Sequence, residues 1–315
     1  VQFFEDLPWY VWIGGGIALF LVAIRHISDT INHLVGEKSK RWISRFTKNL
    51  FTAIVTGTFA TILLNSSSTV IIISILLVTA GQLTFRQSIG IVLGANLGTA
   101  ISNQLLNINT GLVPPIALVV GVILWGLFKT QKQGHWGKLL FLMGLLFSGL
   151  TLMEIGVRPL QDSQEIKQTL QHLDDPFQGA GLGALFTLML QSSTAMMGIT
   201  VKLVKQHLLS VTAGIAIMLG AELGTVGNTL LATINGTRQA LRTGLFHFTF
   251  NLITILFGLI FFYPFTQLVT WISDHASPQQ QIVNAHILFN VLGILMFLPL
   301  VPLVEKFLNR AVPDK

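Results

Sequence analysis

The chain has 315 residues, 51% of them hydrophobic and 10% charged, with a formal net charge of +6 and no cysteine. Soluble proteins carry about 25% charged residues, so this composition excludes an ordinary soluble domain and predicts an all-α polytopic membrane protein. The lack of cysteine excludes disulfides, thiol catalysis and cysteine metal sites. The basic excess sits in short loops between apolar stretches, which writes membrane orientation and not a nucleic-acid partner.

Full crossings are predicted over 8–27, 87–106, 112–128, 139–157, 208–233, 243–263 and 282–304. The first follows Glu5 and Asp6, not a basic segment, so it reads as a crossing and not as a cleavable signal. Lys38, Lys40, Arg41, Arg45 and Lys48 then mark a cytoplasmic loop. Trp42, Ile43, Phe46 and Leu50 share one helix face there, which predicts a helix lying flat on the cytoplasmic membrane surface; a solvated loop is the alternative. Residues 50–80 form two apolar arms around Asn65-Ser66-Ser67-Ser68-Thr69. As a helix, 50–64 rises only about 22 Å, short of the roughly 30 Å hydrocarbon core. The unit therefore reads as a re-entrant hairpin, tolerated only where it is buried in protein or lines a cavity.

The crossings 87–106 and 112–128 return the chain to a cytoplasmic loop with Lys129, Lys132 and Lys138. The crossing 139–157 leads out to 158–176, where Asp162, Glu165, Asp174 and Asp175 outnumber Arg158 and Lys167. A second hairpin, 179–204, surrounds Gln191-Ser192-Ser193-Thr194. The crossing 208–233 comes back to Arg238 and Arg242, 243–263 leads out to 265–281, and 282–304 returns to a tail with Lys306 and Arg310. The N-terminus is thus predicted outside and the C-terminus in the cytoplasm. Lys202 and Lys205 break the pattern at the extracellular foot of the second hairpin. Attraction of an anion and simple snorkelling both account for them. Glu154, near the end of its crossing, is placed at the interface.

The two hydroxyl clusters lie 126 positions apart, and at the same offset I-V-L-G-A-N-L-G-T (91–99) matches I-M-L-G-A-E-L-G-T (217–225) at seven of nine positions. This predicts an internal duplication. The equivalent starts are separated by an odd number of crossings, so the second copy is expected upside down, with the hairpin tips meeting near the midplane. The first copy with its flanking helix and interfacial segment is assigned 1–128, the second 139–263, and an extra transmembrane helix with a short tail 264–315, all in one bundle. Glycines in 94–98 and 220–224 would permit helix breaks beside the tips; close helix packing is the other reading.

At each tip the second arm starts a helix whose first amides lack intrahelical partners and carry about half a positive charge. The hydroxyls of Ser66, Ser67, Ser68, Ser192, Ser193 and Thr194 add donors, making a cradle for a tetrahedral oxyanion. The same hydroxyls with unwound carbonyls suit a hard cation such as sodium. Helix capping by these serines is the competing reading. No Arg or Lys is evident at the tips, so co-bound cations are expected to balance a divalent anion.

The clusters resemble the Gln-Ser-Ser-Ser signature of the type II sodium/phosphate cotransporter family, and G-A-N-L-G-T resembles its Gly-Ser-Asn-Ile-Gly-Thr element. His247-Phe-Thr-Phe-Asn251 and His286-Ile-Leu-Phe-Asn290 look like its His-x-x-Phe-Asn elements. The resemblance covers about 10–304 and is nearest to a bacterial-type member without a C-terminal regulatory domain. It implies sodium-coupled uptake of inorganic phosphate through two inverted repeats in a bacterial inner membrane, by a transporter and not an enzyme. It implies substrate binding by Ser66, Ser67, Ser68, Gln191, Ser192, Ser193 and Thr194. It implies sodium binding by Asn65, Asn96, Thr99, Ser102, Asn103, Gln191, Thr225 and Asn228, to which the tip hydroxyl of Thr69 and the acid Glu222 are added as sodium candidates, with no organic cofactor. His247 and His286, each near the start of a crossing, are assigned to packing or interfacial hydrogen bonding.

Two positions depart from the family. Asn65 replaces its usual Gln, and Glu222 its usual Asn. An acid at membrane depth is a functional candidate: Glu222 either ligates a cation, carries a coupling proton, or stays protonated against helix backbone. Transport of another oxyanion with sodium or protons, phosphate export, a phosphate sensor without turnover, and assembly as a homo-oligomer stay open.

Overall fold

A computed structural model describes residues 7–107, 112–128, 132–165, 170, 172–234 and 236–314, with the side chains of 28, 31–45, 107, 113, 132, 133, 161 and 162 outside that description. Glu5, Asp6, Lys129 and Lys167, and the side chains of Lys38, Lys40, Arg41, Trp42, Ile43, Arg45, Lys132 and Asp162, thus lie outside it. The described residues form α-helices and short 3-10 turns, with no strand. In chain order the helices are α1 (Trp9–Phe46), α2 (Leu50–Leu64), α3 (Ser67–Thr79), α4 (Phe85–Ser102) and α5 (Val113–Leu127). Then come α6 (Lys132–Val157), α7 (Pro176–Leu190), α8 (Ser193–Lys205), α9 (Val211–Gly224), α10 (Val226–Leu231) and α11 (Arg238–Ile260). The chain closes with α12 (Phe262–Ile272), α13 (Pro278–Phe297) and α14 (Val301–Ala311).

Six helical stretches among the described residues are long and apolar enough to cross a membrane. They correspond to six of the predicted crossings. The seventh, α5, has 15 residues and would rise only about 22 Å. It presents Ile116, Val119, Val120, Val122, Ile123 and Leu127 outward, an apolar face suited to lipid.

The duplication is visible in the helix bounds. Both ends of α2 and α3 recur 126 positions later as α7 and α8, and the start of α4 recurs as the start of α9. The caps recur too. Asn49 Oδ1 accepts from Thr52 N at 2.9 Å to cap α2, and Asp175 Oδ1 accepts from Phe177 N and Gln178 N at 3.1 and 2.9 Å to cap α7. Thr84 caps α4 through Gln87 N and Ser210 caps α9 through Ala213 N. Each such cap contributes about 1 kcal/mol.

The first arm of each hairpin packs along the helix that follows the hairpin, α2 on α4 and α7 on α9. Glycine makes the contact possible. A Cβ on Gly94 would lie 1.9 Å from the Ile54 carbonyl oxygen, and one on Gly220 would lie 1.8 Å from the Ala180 carbonyl oxygen. Ile54 and Ala180 are themselves one offset apart. The scaffold pairs are α1 with α6 and α5 with α6. One buried cluster joins the second hairpin to α1, α6, α12 and α13 around Phe20, Leu146, Met197, Ile217, Phe262 and Ile282. Another joins the first hairpin to α11 and the end of α13 around Ala53, Ile71, Ile91, Phe246 and Phe297.

Three expectations change. No separate surface helix starts at residue 38, because α1 runs unbroken for 38 residues to Phe46, about 57 Å of helix. The stretch 265–281 is not all loop, because α12 occupies Phe262–Ile272 with Phe262, Phe265 and Val269 buried. The glycines of 94–98 do not break α4, which continues to Ser102 and ends in a 3-10 turn, Asn103–Asn107. In the second copy a turn at Thr225, after Gly224, separates α9 from α10. The glycines therefore act first as a packing surface for the hairpin arms.

Candidate functional site

Each hairpin reverses through one residue in the left-handed region. Asn65 has φ 49 and ψ 35, and Gln191 has φ 54 and ψ 26. A non-glycine residue there costs about 1 kcal/mol, and Gln lacks the special tolerance of Asn. The next residue is extended and caps the second arm. Ser66 Oγ accepts from Thr69 N at 3.2 Å, and Ser192 Oγ accepts from Ala195 N at 3.1 Å. With these caps in place, the amides of Ser67 and Ser68, and of Ser193 and Thr194, are left at the open helix ends. The capping reading is thus correct for Ser66 and Ser192, and it is what turns the remaining donors outward.

The two tips share one cavity of about 480 Å³. It is lined by Asn65, Ser66, Ser67, Ser68 and Thr69 from the first tip and by Leu190, Gln191, Ser192, Ser193 and Thr194 from the second. Thr225, at the break between α9 and α10, also faces it. The tips differ in one hydroxyl: Thr69 Oγ1 lies 2.8 Å from Ser66 Oγ, whereas its counterpart is Ala195. The expectation of no basic side chain is corrected, because Arg25 and Asp29 of α1 also line the cavity. Their only sequence signal is a pair of opposite charges one turn apart in the first apolar helix, easily assigned to its polar end.

The other candidate residues do not reach the cavity lining. Asn96, Asn103 and Glu222 lie in a buried polar network with the two histidines. Asn96 Nδ2 donates to Asn251 Oδ1 at 2.9 Å, and Asn251 Nδ2 donates to the Glu222 carbonyl at 2.8 Å. His247 Nδ1 lies 2.7 Å from Thr229 Oγ1 and its Nε2 3.3 Å from Asn251 Nδ2. His286 Nε2 lies 2.6 Å from a Glu222 carboxylate oxygen, and its Nδ1 3.1 Å from Asn103 Nδ2. Both histidines are buried. Glu222 is one offset from Asn96, and Thr229 one offset from Asn103. Each histidine therefore joins the position-96 type of one copy to the position-103 type of the other, His247 doing so through Asn251.

Thr99 Oγ1 donates to the Ala95 carbonyl within its own helix at 3.2 Å. Ser102 Oγ and Asn103 Oδ1 are buried without a partner, and Asn228 is half-buried on α10. At the foot of the second hairpin, Lys202 and Lys205 each place Nζ 2.9 Å from a Glu154 carboxylate oxygen. Such a pair ties α8 to α6, and it accounts for the two lysines without an anion.

The family model described as Na+/Pi-cotransporter matches residues 19–155 and again 156–297, once for each half of the chain. Among curated proteins, the uncharacterized protein YqeW of Bacillus subtilis is 26% identical over 300 residues, spanning 95% of this chain and 97% of that one. YjbB of Salmonella typhimurium, whose name gives inorganic phosphate export as a provisional function, is 25% identical over 303 residues. The chain spans 55% of YjbB's length. Sodium-dependent phosphate transport protein 2B of Homo sapiens is 29% identical over 105 residues, 33% of this chain and 15% of that one. No solved structure matches.

Proposed function

We propose that this chain, which belongs to the Na+/Pi-cotransporter family, is a sodium-coupled secondary transporter of inorganic phosphate working by alternating access. The observation that carries this reading is the single cavity lined by both hairpin tips. Phosphate would lie between the helix ends at Ser67–Ser68 and Ser193–Thr194, with Ser66, Ser192 and the Gln191 amide adding donors. Asn65, Thr69, Gln191 and Thr225, which share that lining, supply oxygens for sodium.

The buried network is the second half of the proposal. Asn96, Thr99, Ser102, Asn103, Glu222 and Asn228 would serve the tips from α4, the 3-10 turn that follows it, α9 and α10, and a helix break like the one at Thr225 recurs in transporters. Glu222 would set the cation choice from there, holding sodium or a proton. With the two copies inverted in the membrane, rocking of the hairpin units against the α1–α6 scaffold would expose the cavity to one side and then the other. The N-terminus would lie outside and the C-terminus in the cytoplasm of a bacterial inner membrane. No bond is made or broken in this cycle.

A second reading is outward flux. It is favoured by YjbB, whose name states export. Proteoliposomes loaded and diluted to set either direction of the sodium gradient test both readings with radiolabelled phosphate. Uptake driven by inward sodium supports the leading reading, and flux only in the outward arm supports export. Binding without flux would make the protein a sensor, and neither binding nor flux would end the phosphate assignment.

A further inference from the structure

Leu21, Arg25 and Asp29 follow one another at intervals of four along α1, so they share one helix face. With Ile24 they form the wall that faces both hairpin tips across the cavity. Among the described residues, Arg25 and Asp29 are the only charged ones in that lining, and both side chains stand exposed in it. Their counterparts one offset on are Thr151 and Ile155. Thr151 Oγ1 spends its hydrogen on the Phe147 carbonyl of its own helix at 3.0 Å. The charges are thus present in one copy alone, on the scaffold and not on a hairpin.

We propose that Arg25 is the anion-binding side chain of this cavity, pairing with a tetrahedral oxyanion held between the two tips, with Asp29 as its counter-charge. The proposal rests on the reading of the cavity as an oxyanion site and deepens it. Two helix starts offer only about half a charge each. A guanidinium adds a full charge and a planar fork that matches two oxygens of a phosphate. Asp29 offsets that charge, so the lining as a whole carries only the partial charges of the two helix starts and leaves a dianion incompletely balanced without a co-bound cation. Sequence-equivalent helix ends explain why the tips are matched; the unmatched Arg25 explains how a divalent anion is held.

The test is phosphate half-saturation and pH dependence of uptake in proteoliposomes for Arg25→Gln and Arg25→Lys. Losing a charge-assisted hydrogen bond predicts a rise in half-saturating phosphate of about tenfold or more for Arg25→Gln, and a smaller rise for Arg25→Lys. Uptake by Arg25→Gln should also shift towards the monoanion, raising the ratio of acid to alkaline rates, which a purely structural role would not do. The side chain is exposed, so gel filtration should show wild-type folding; if Arg25→Gln misfolds, Arg25→Lys decides by the same two readouts. Unchanged half-saturation and pH ratio in a wild type that moves phosphate would overturn the role of Arg25 alone. A wild type that binds no phosphate would instead end the phosphate reading. Sulfate and molybdate binding by the same variants would then judge Arg25, with unchanged affinity for both counting against it.

Discussion

Asn65 and Gln191 occupy the same left-handed corner 126 residues apart, each between a helix of 15 residues and one of 13, and both face one cavity. The backbone strain at both corners is retained with a side-chain amide in place of the easier glycine. That choice is explained if the amide has a ligand to hold.

Gln191→Gly separates the two roles. It relieves the left-handed strain, so thermal stability of the purified protein should stay level or rise by about 1 kcal/mol. Phosphate uptake should fall about tenfold or more as the amide is lost. Loss of stability with uptake preserved would show that the corner serves the fold and not the ligand.

The hairpin arms depend on the absence of a methyl group. Gly94→Ala and Gly220→Ala place a Cβ within 2 Å of a backbone carbonyl oxygen, and rigid backbone cannot yield as a side-chain tip can. A loss of about 3 kcal/mol or failure to fold is expected, since overpacking of ordinary cores already costs about 1–3 kcal/mol. Gly14→Ala, where a Cβ meets nothing within 4 Å, should leave the melting temperature unchanged. Equal behaviour of all three variants would contradict the packing role.

Glu222 and His286 should be energetically coupled. Their 2.6 Å contact is fully enclosed, so Glu222→Ala strands the imidazole and should destabilise by about 2–4 kcal/mol. Glu222→Gln should cost less, because an amide still reaches His286. A double-mutant cycle with His286→Asn, read by thermal unfolding in detergent, should give a coupling of about 1–3 kcal/mol. Additive effects would show that the two residues stabilise the bundle independently.

Much of this fold is legible in the sequence because a polar cluster in apolar surroundings has few explanations, and its recurrence at one offset leaves fewer. The hairpin limits and the shared offset follow from that pattern. What the pattern does not carry is contact between distant segments. Arg25 and Asp29 look like the polar end of a helix until α1 is set against both tips. His247 and His286 read as packing or interfacial hydrogen bonding by position, and their buried partners emerge only when α11 and α13 are set against α4 and the α9–α10 pair. The glycines gave two possible meanings, and only the carbonyl oxygens of Ile54 and Ala180 decide between them.

The central claim is that both tips hold the same anion, and the absence of cysteine in the chain makes it directly testable. Thr69→Cys places one thiol at the first tip, at a position whose counterpart is already the hydroxyl-free Ala195, and Leu190→Cys places one at the second. Alkylation of each single-thiol protein by a water-soluble maleimide should be slowed by phosphate with sodium, at the same half-effective phosphate concentration for both. Protection at one tip only, or at clearly different concentrations for the two, would contradict a shared site.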